Sequence, residues 1–386
     1  MNCVHFGICG GCVCTTYEDG HKAPLPYAQE LEQKETRVKT SLAGFTVEDW
    51  RPIVASPEEW TYRNKMEFAI GELREMPFSI GMRETGRFDR IVDLQTCGLM
   101  SPEAVQIVHL LRAWAKEQKL PGYNRFSHQG ELRYLVLREG KNTGQRLGVL
   151  IARTPPPGMD DFQKRLEPLL TTAWLGITDA RGDVARTKDM TLLWGSGTLE
   201  EKLGPINYRI SPYSFFQTNT HATERLYGLL TDWAKTVGGG ALLDLYCGSG
   251  GITLSLAADF DRVIGVDTNT EAIEDARFNA AQNNLMNTEF VSEDALKFLA
   301  KLPGSKMSVQ LSALIVDPPR PGLHPKALHG LVELNPPRLA YVSCNPESLA
   351  RDLQALAPLY HIRSVQPVDL FPHTAHVETV CLMEHR

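Results

Sequence analysis

Four residues in the second half of the chain combine a reactive side chain with a place at one end of a strand-like run: Asp267 in VIGVDTN, Asp317 in IVDPPRPG, Cys344 in YVSCNPE and Glu378 in HTAHVETV. In an open α/β sheet, ligands collect outside the carboxyl ends of the parallel strands, so Asp267, Asp317 and Cys344 should converge there. If the strand that contains Glu378 runs antiparallel, its beginning lies on the same edge. A purely structural thiol would more naturally sit inside its apolar run, and for Cys344 taken alone that is the plain alternative. A thiol at a strand tip has another use. Its thiolate can add to carbon 6 of a uracil, so that carbon 5 takes a methyl group; a base then removes the carbon 5 proton and the thiol is eliminated. Cys344 suits the nucleophile and Glu378 the base.

A methyl group needs a donor. The stretch Asp244-Leu-Tyr-Cys-Gly248-Ser-Gly250-Gly251 follows one strand-like run, and Asp267 closes the next. Glycines at such a turn let the backbone approach a ligand, and an acid about 20 residues on can accept from ribose hydroxyls. The dinucleotide fingerprint requires G-x-G-x-x-G, whereas this turn reads D-x-x-C-G-x-G-G. It resembles the first motif of class I S-adenosylmethionine (SAM) methyltransferases, which favours SAM over NAD. A ligand-free turn, with Asp267 as an ordinary helix cap, is the bland alternative.

Taken together, SCNP, DPPR, the D-x-x-C-G-x-G turn, SFFQTN (Ser214 to Asn219) and FPHTAHVET resemble the RNA uracil-C5-methyltransferase family, over nearly the whole chain and most densely from Ser211 onward. The resemblance implies that Cys344 is the nucleophile and Glu378 the base, and that Gln217, Tyr246, Asp267 and Asp317 contact SAM. It is nearest to members that methylate a uridine of 23S rRNA; the T-loop uridine of tRNA is the alternative target. Arg320 stands where the D-P-P-Y of amino-methylating enzymes has a stacking aromatic, which speaks against an exocyclic amine as acceptor. Cys247 and Cys381 read as packing thiols, and Tyr246 alone could equally be a core aromatic. Two readings of other classes compete: a non-catalytic metal-binding RNA module, and a nicotinamide-dependent oxidoreductase.

Cys3, Cys9 and Cys12 lie in a Gly-rich segment too short to fold alone, so a metal is a plausible organiser. Spacing by itself allows zinc, with Cys14 or His5 completing the set. The family resemblance implies instead a [4Fe-4S] cluster with Cys97 as the distant fourth ligand and a structural role.

Stepping outward, the 386 residues carry a net charge of −6 and a pI near 6.0, so any RNA site must be a local patch. No apolar run approaches the roughly 20 residues of a membrane span, and a cytosolic, monomeric protein is expected. Apolar spacing predicts a helix over 24–43. MEFAIGEL, FSIGMRE, RYLVLREG and QRLGVLIAR predict strands of an antiparallel sheet, with a helix in PEAVQIVHLLRAWAKEQ. From ALLDLY onward strand and helix alternate, which predicts a doubly wound parallel sheet ending in an antiparallel hairpin, HIRSVQPVDLF and HVETVCLMEH. The expected architecture is α/β: an iron-sulfur and β-rich RNA-binding part over residues 1–205 and a catalytic part over 206–386. YRNKMEF, MRETGRFDR and ELRYLVLRE offer basic and aromatic side chains for RNA, with Arg63, Asn64 and Lys65 favoured by the family pattern. A solvated, charge-alternating sheet face would read the same.

Overall fold

The computed structural model describes residues 3–18, 21–73, 76–302 and 311–386. An eight-stranded sheet runs in spatial order Thr288–Ser292, Arg262–Asp267, Ala241–Leu245, Leu311–Val316, Arg338–Ser343, Glu378–His385, Tyr360–Val368 and Val47–Trp50. The first five strands are mutually parallel, and Glu378–His385 pairs antiparallel on both sides. The central strands are continuous apolar runs because both faces are covered. Leu242, Val263, Ile315 and Val342 point into one core, while Leu243, Ile264, Leu314 and Tyr341 point into another.

The expected helix at 24–43 spans Tyr27–Ser41 and buries Val38 and Leu42 completely against the second of these faces. The chain then continues into Val47–Trp50, which pairs parallel with Tyr360–Val368. This short, polar strand escaped the sequence reading. It covers an edge that would otherwise present unpaired backbone groups.

A second sheet of seven strands holds Asp189–Trp194, Thr172–Ile177, Arg146–Ala152, Leu132–Glu139, Lys65–Leu73, Met76–Glu84 and Arg87–Asp93, in that order. It is not wholly antiparallel as expected. Arg146–Ala152 and Thr172–Ile177 pair in parallel, joined by a crossover that includes the helix Met159–Leu166. That helix and Pro102–Glu117 cover one face, with Leu111, Trp114 and Phe162 buried between them and the sheet. The other face, through Val136, Val149 and Ile151, shares a core with Leu226, Leu230 and Leu242 of the C-terminal half, and Tyr208 of the ribbon Leu199–Leu203/Ile206–Ile210 lies in the same core. Among the described residues, no helix is long and apolar enough to cross a membrane.

Candidate active site

The sequence ends the strand Arg338–Ser343 with a polar tip for a local reason. Pro346 at the first helical turn and Asn345 as N-cap start a helix over Pro346–Leu356, which leaves Cys344 between strand and helix. Ser343 Oγ donates to Asn345 O at 2.9 Å, and Asn345 Nδ2 donates to Arg320 O at 3.2 Å, which ties the tip to the DPPRPG loop. Register does the rest. Ser343 lies opposite Thr379, so one further step sets Cys344 against Glu378, the first residue of the antiparallel strand.

Glu378 is buried, and its Oε2 has no hydrogen-bond partner among the described residues. Burial, and then the charge of Asp317, push its carboxyl well above the usual carboxylate range. Burial also pushes Asp317 up. The Cys344 thiol is half-buried and pushed up to about 11, by burial first and then by Glu378 and Asp317, with Arg320 opposing. Three groups that prefer to be neutral therefore lie within electrostatic reach of one another. A cation arriving there would relieve all three.

Beside them lies a small cavity bordered by Phe215, Gln217, Tyr246, Ser249, Gly251 and Asp317. The turn that floors it is tightly built. Tyr246 has φ +67° and lies half-buried at the cavity wall, while Gly248 and Gly250 take φ +54° and +85°, the left-handed region that glycine enters without strain. Asp267 is half-exposed; it accepts from Gly248 N at 3.0 Å through Oδ2 and from Asn269 N at 2.8 Å through Oδ1. Each oxygen keeps a lone pair for a further donor. Asp244 is buried under the turn and pushed up to about 7 by burial; it accepts from Thr253 Oγ1 at 2.6 Å through Oδ2, and its Oδ1 has no partner. Gln217 Nε2 donates to Asp317 Oδ2 at 3.4 Å. Gln217, Tyr246 and Asp317 thus line one cavity, Asp267 closes the strand beside its floor, and Cys344 and Glu378 stand against Asp317.

The loop that carries Gln217 is held from three sides by residues the sequence reading did not single out for this. Asp275, almost fully buried, accepts from Ser211 N at 2.9 Å, Ser211 Oγ at 2.8 Å and Ser214 Oγ at 2.5 Å. Arg138, buried, donates through Nε to Pro212 O at 2.9 Å and through a guanidinium nitrogen to Ser214 O. Asn64 Nδ2 donates to Gln217 O at 2.9 Å and Thr220 Oγ1 at 3.0 Å. This corrects the RNA-contact expectation for Asn64, whose side-chain donors are spent inside the protein. It corrects Arg133 and Arg138 as well: both are buried, and Arg133 gives its donors to the carbonyls of Thr178, Ala180 and Gly182. Arg63 and Lys65 remain partly exposed. The structure also adds Phe215, which is 59% exposed at the cavity rim, where its ring passes over Gly248. Its signal was already in SFFQTN, an apolar side chain in a polar loop.

The loop leading to Glu378 is braced from below. Lys34 Nζ contacts Glu30 Oε1 at 2.6 Å, Asp369 Oδ1 at 2.8 Å and Phe371 O at 3.0 Å, all buried or nearly so. Tyr27 OH donates to Asp369 Oδ2 at 2.9 Å, and His373 N donates to Glu30 Oε1 at 2.8 Å. From the other side, Val13 N and Cys14 N both donate to His373 O, at 2.8 and 3.1 Å, so the cysteine-rich segment clasps this same loop. His373 stacks on Trp60 with ring centroids 3.7 Å apart.

Cys3, Cys9, Cys12 and Cys97 lie near enough for their charges to act on one another. Burial and then neighbouring thiols push Cys9 and Cys12 up, and burial pushes Cys97 up, with Cys3 adding to it. Gly11 N donates to Cys9 Sγ at 3.3 Å, and backbone amides of Leu99 and Met100 favour the Cys97 thiolate. Cys14 faces Glu30, Lys34 and Asp369 instead, and His5 Nε2 is already occupied as the acceptor of Gln95 N at 2.8 Å. Among the described residues, no group of three or more His, Cys, Asp or Glu side chains is close enough to hold one metal ion. Four thiolates on a single zinc would stand about 3.8 Å apart, given a Zn–S distance near 2.3 Å.

A protein 34% identical over 391 residues, spanning 98% of this chain and 82% of that relative, is an uncharacterised RNA methyltransferase of Clostridium tetani. Another, 33% identical and spanning 99% of this chain and 79% of the relative, is an uncharacterised RNA methyltransferase of Nanoarchaeum equitans. The crystal structure of Pyrococcus abyssi tRNA (uracil-54, C5)-methyltransferase with S-adenosyl-L-homocysteine is 30% identical, covers 96% of this chain and 91% of that one, and superposes with a TM-score of 0.78. The α/β class I SAM methyltransferase fold is therefore supported for this chain, and the likeness extends over both sheets. Residues 184–386 match the family model for tRNA (uracil-5-)-methyltransferase. By that match and by its full-length relatives, the chain belongs to the tRNA (uracil-5-)-methyltransferase family.

Proposed function

We propose that the protein methylates carbon 5 of a uridine in RNA, with SAM as donor, Cys344 as nucleophile and Glu378 as general base. The observation that carries this reading is the placement of Cys344 against Glu378 across adjacent strands, beside the cavity lined by Gln217 and Asp317. Cys344 adds to carbon 6, carbon 5 becomes nucleophilic, Glu378 removes the carbon 5 proton after methylation, and loss of the thiolate restores the double bond. Gln217, Tyr246, Asp267 and Asp317 hold SAM, which supplies a methyl group and a positive charge. The unpartnered Glu378 Oε2 and the raised Asp317 carboxyl suit such a charge. A uracil cannot reach this recess from inside a duplex, so it enters from a loop or flips out, and the exposed Phe215 ring offers it a face to pass. A non-catalytic RNA module would have no need for a nucleophile and base in register.

The catalytic reading covers residues 206–386 and the RNA-binding reading residues 1–205, with the N-terminal helix lending support to the former. For the target, 23S rRNA is the reading implied by motif resemblance. The likeness to the Pyrococcus tRNA enzyme favours the tRNA T-loop uridine as the second. Cys3, Cys9, Cys12 and Cys97 are the proposed ligands of a [4Fe-4S] cluster that pins the N-terminal segment to the Cys97 loop; stoichiometric zinc in anaerobically purified protein would overturn it.

The deciding experiment is tritium release from C5-tritiated uridine in a 23S rRNA fragment and a tRNA transcript, with and without SAM. SAM-dependent release from one transcript establishes the reaction and chooses the target. Release from neither, with SAM bound, removes the proposal for these RNAs.

A further inference from the structure

The seven-stranded sheet carries a surface feature that the reaction chemistry does not use. Phe88 and Phe126 are 67% and 72% exposed, among the most exposed large apolar side chains described. Between them stands Arg125, its guanidinium carbon 4.7 Å from the Phe88 ring centroid and 5.7 Å from that of Phe126. Arg125 Nη1 also donates to Phe88 O at 3.0 Å, which links the Arg87–Asp93 strand to the 122–130 loop.

That loop is rigidly made. Asn124 Oδ1 accepts from Phe126 N at 2.9 Å and Ser127 N at 3.0 Å, Tyr123 OH meets His128 Nδ1 at 2.9 Å, and buried Arg133 lies 4.3 Å from the centre of the Tyr123 ring. An exposed phenylalanine on a frayed loop means little. Two of them, held around a guanidinium on a braced loop, form a preorganised set of flat faces.

Side chains of the 183–186 segment link this surface to the helix Thr270–Gln282, which follows Asp267. Asp183 pairs with Arg125 at 3.4 Å and Arg83 at 2.7 Å. Three residues on, Arg186 reaches Glu271 at 2.8 Å on the helix that follows Asp267, and its guanidinium lies 5.3 Å from the centre of the Tyr213 ring.

We propose that Phe88, Arg125 and Phe126 form a stacking platform for an unpaired base of the substrate RNA, flanking the uridine that enters the pocket. The inference rests on the RNA-substrate reading above. Arg125 and its neighbours Arg83, Arg87 and Asp89 are largely engaged in local ion pairs, so flat-face stacking rather than net charge is the attraction on offer.

The test uses the full chain and whichever of the tRNA transcript or 23S rRNA fragment binds more tightly. Alanine at both Phe88 and Phe126 should weaken RNA affinity about 5- to 150-fold, the range for losing one stacked base, and leave S-adenosylhomocysteine affinity unaltered. Arg125→Lys should lose much of the same affinity without changing the salt dependence of binding, since no phosphate contact is lost. Unchanged RNA affinity in the double variant overturns the platform. So does full retention of affinity by Arg125→Lys, which would make Arg125 a phosphate contact, or sedimentation showing that the phenylalanines join two copies of the chain. Failure of the methylation reading looks different: wild-type protein would bind RNA through the phenylalanines yet release no tritium.

Discussion

Two pairs of acids lie at the same end of the eight-stranded sheet, three of them buried and Asp317 half-buried, and they are treated differently. Glu30 and Asp369 share Lys34, whose ammonium lies 2.6 and 2.8 Å from them, and Tyr27 donates to the second. Among the described residues, Asp317 and Glu378 have no such cation; Gln217 offers one long hydrogen bond to Asp317, and Glu378 Oε2 has none. The first pair shares one cation within the fold and acts as a brace, although burial raises the Glu30 carboxyl too and its Oε2 has no hydrogen-bond partner among the described residues. The second is left electrostatically incomplete, and a site is incomplete in this way when its counter-charge arrives with the ligand.

The sharpest way to break this comparison is to remove the chemistry and keep the pocket. Cys344→Ala should cut turnover by about 10⁶-fold, the scale seen when a covalent nucleophile is deleted, while calorimetry still finds S-adenosylhomocysteine binding. Normal turnover would make Cys344 a packing residue. Glu378→Gln should slow turnover by about 10²–10⁴-fold and leave protein covalently attached to methylated RNA, visible on a denaturing gel; a slow variant with no adduct would remove Glu378 as the base.

The braced pair predicts a stability effect instead. Lys34→Met leaves two buried carboxyls without their cation and should cost about 3–5 kcal/mol in urea unfolding, whereas Asp317→Asn, which removes a charge that has no partner cation, should be neutral or stabilising without ligand. Equal losses would erase the distinction. The smallest effect concerns pH. Asp317 is held above its ordinary range, so its carboxylate forms only as pH rises through that raised value, and a cation gains affinity in the same direction. The affinity of SAM relative to neutral S-adenosylhomocysteine should rise by about tenfold, ~1.4 kcal/mol, between about pH 6 and about pH 8. A flat ratio in the wild type, or a rise that survives Asp317→Asn, would place the charge sensor elsewhere.

Sequence pattern went furthest where local and global signals agree. The ALLDLY, RVIGVD, SALIVDPP and LAYVSCN runs became the parallel strands, and the antiparallel reading of HVETVCLMEH set Glu378 on the ligand edge. It failed where burial contradicts chemistry. Asp275 in TEAIEDAR and Arg138 in YLVLREG look like residues of solvated faces, yet both are buried because their partners are backbone and hydroxyl groups of a loop more than 60 residues away. Such pairings leave no periodic trace. Short strands such as Val47–Trp50 were missed for a related reason, since pairing with a distant edge rather than their own composition makes them strands.

The clasp between Val13, Cys14 and the carbonyl of His373 also sets an order of events in time. These backbone partners are separated by about 360 residues of chain, which at ribosomal speeds takes roughly 20 to 70 s to make. Through that interval the cysteine-rich segment can hold only partners made earlier, such as Arg83, Thr85 and Gln95, so its grip on the loop before Glu378 is completed late. Closure of that last contact therefore joins the segment to the loop before Glu378, and the proposed general base is framed by the two ends of the chain together.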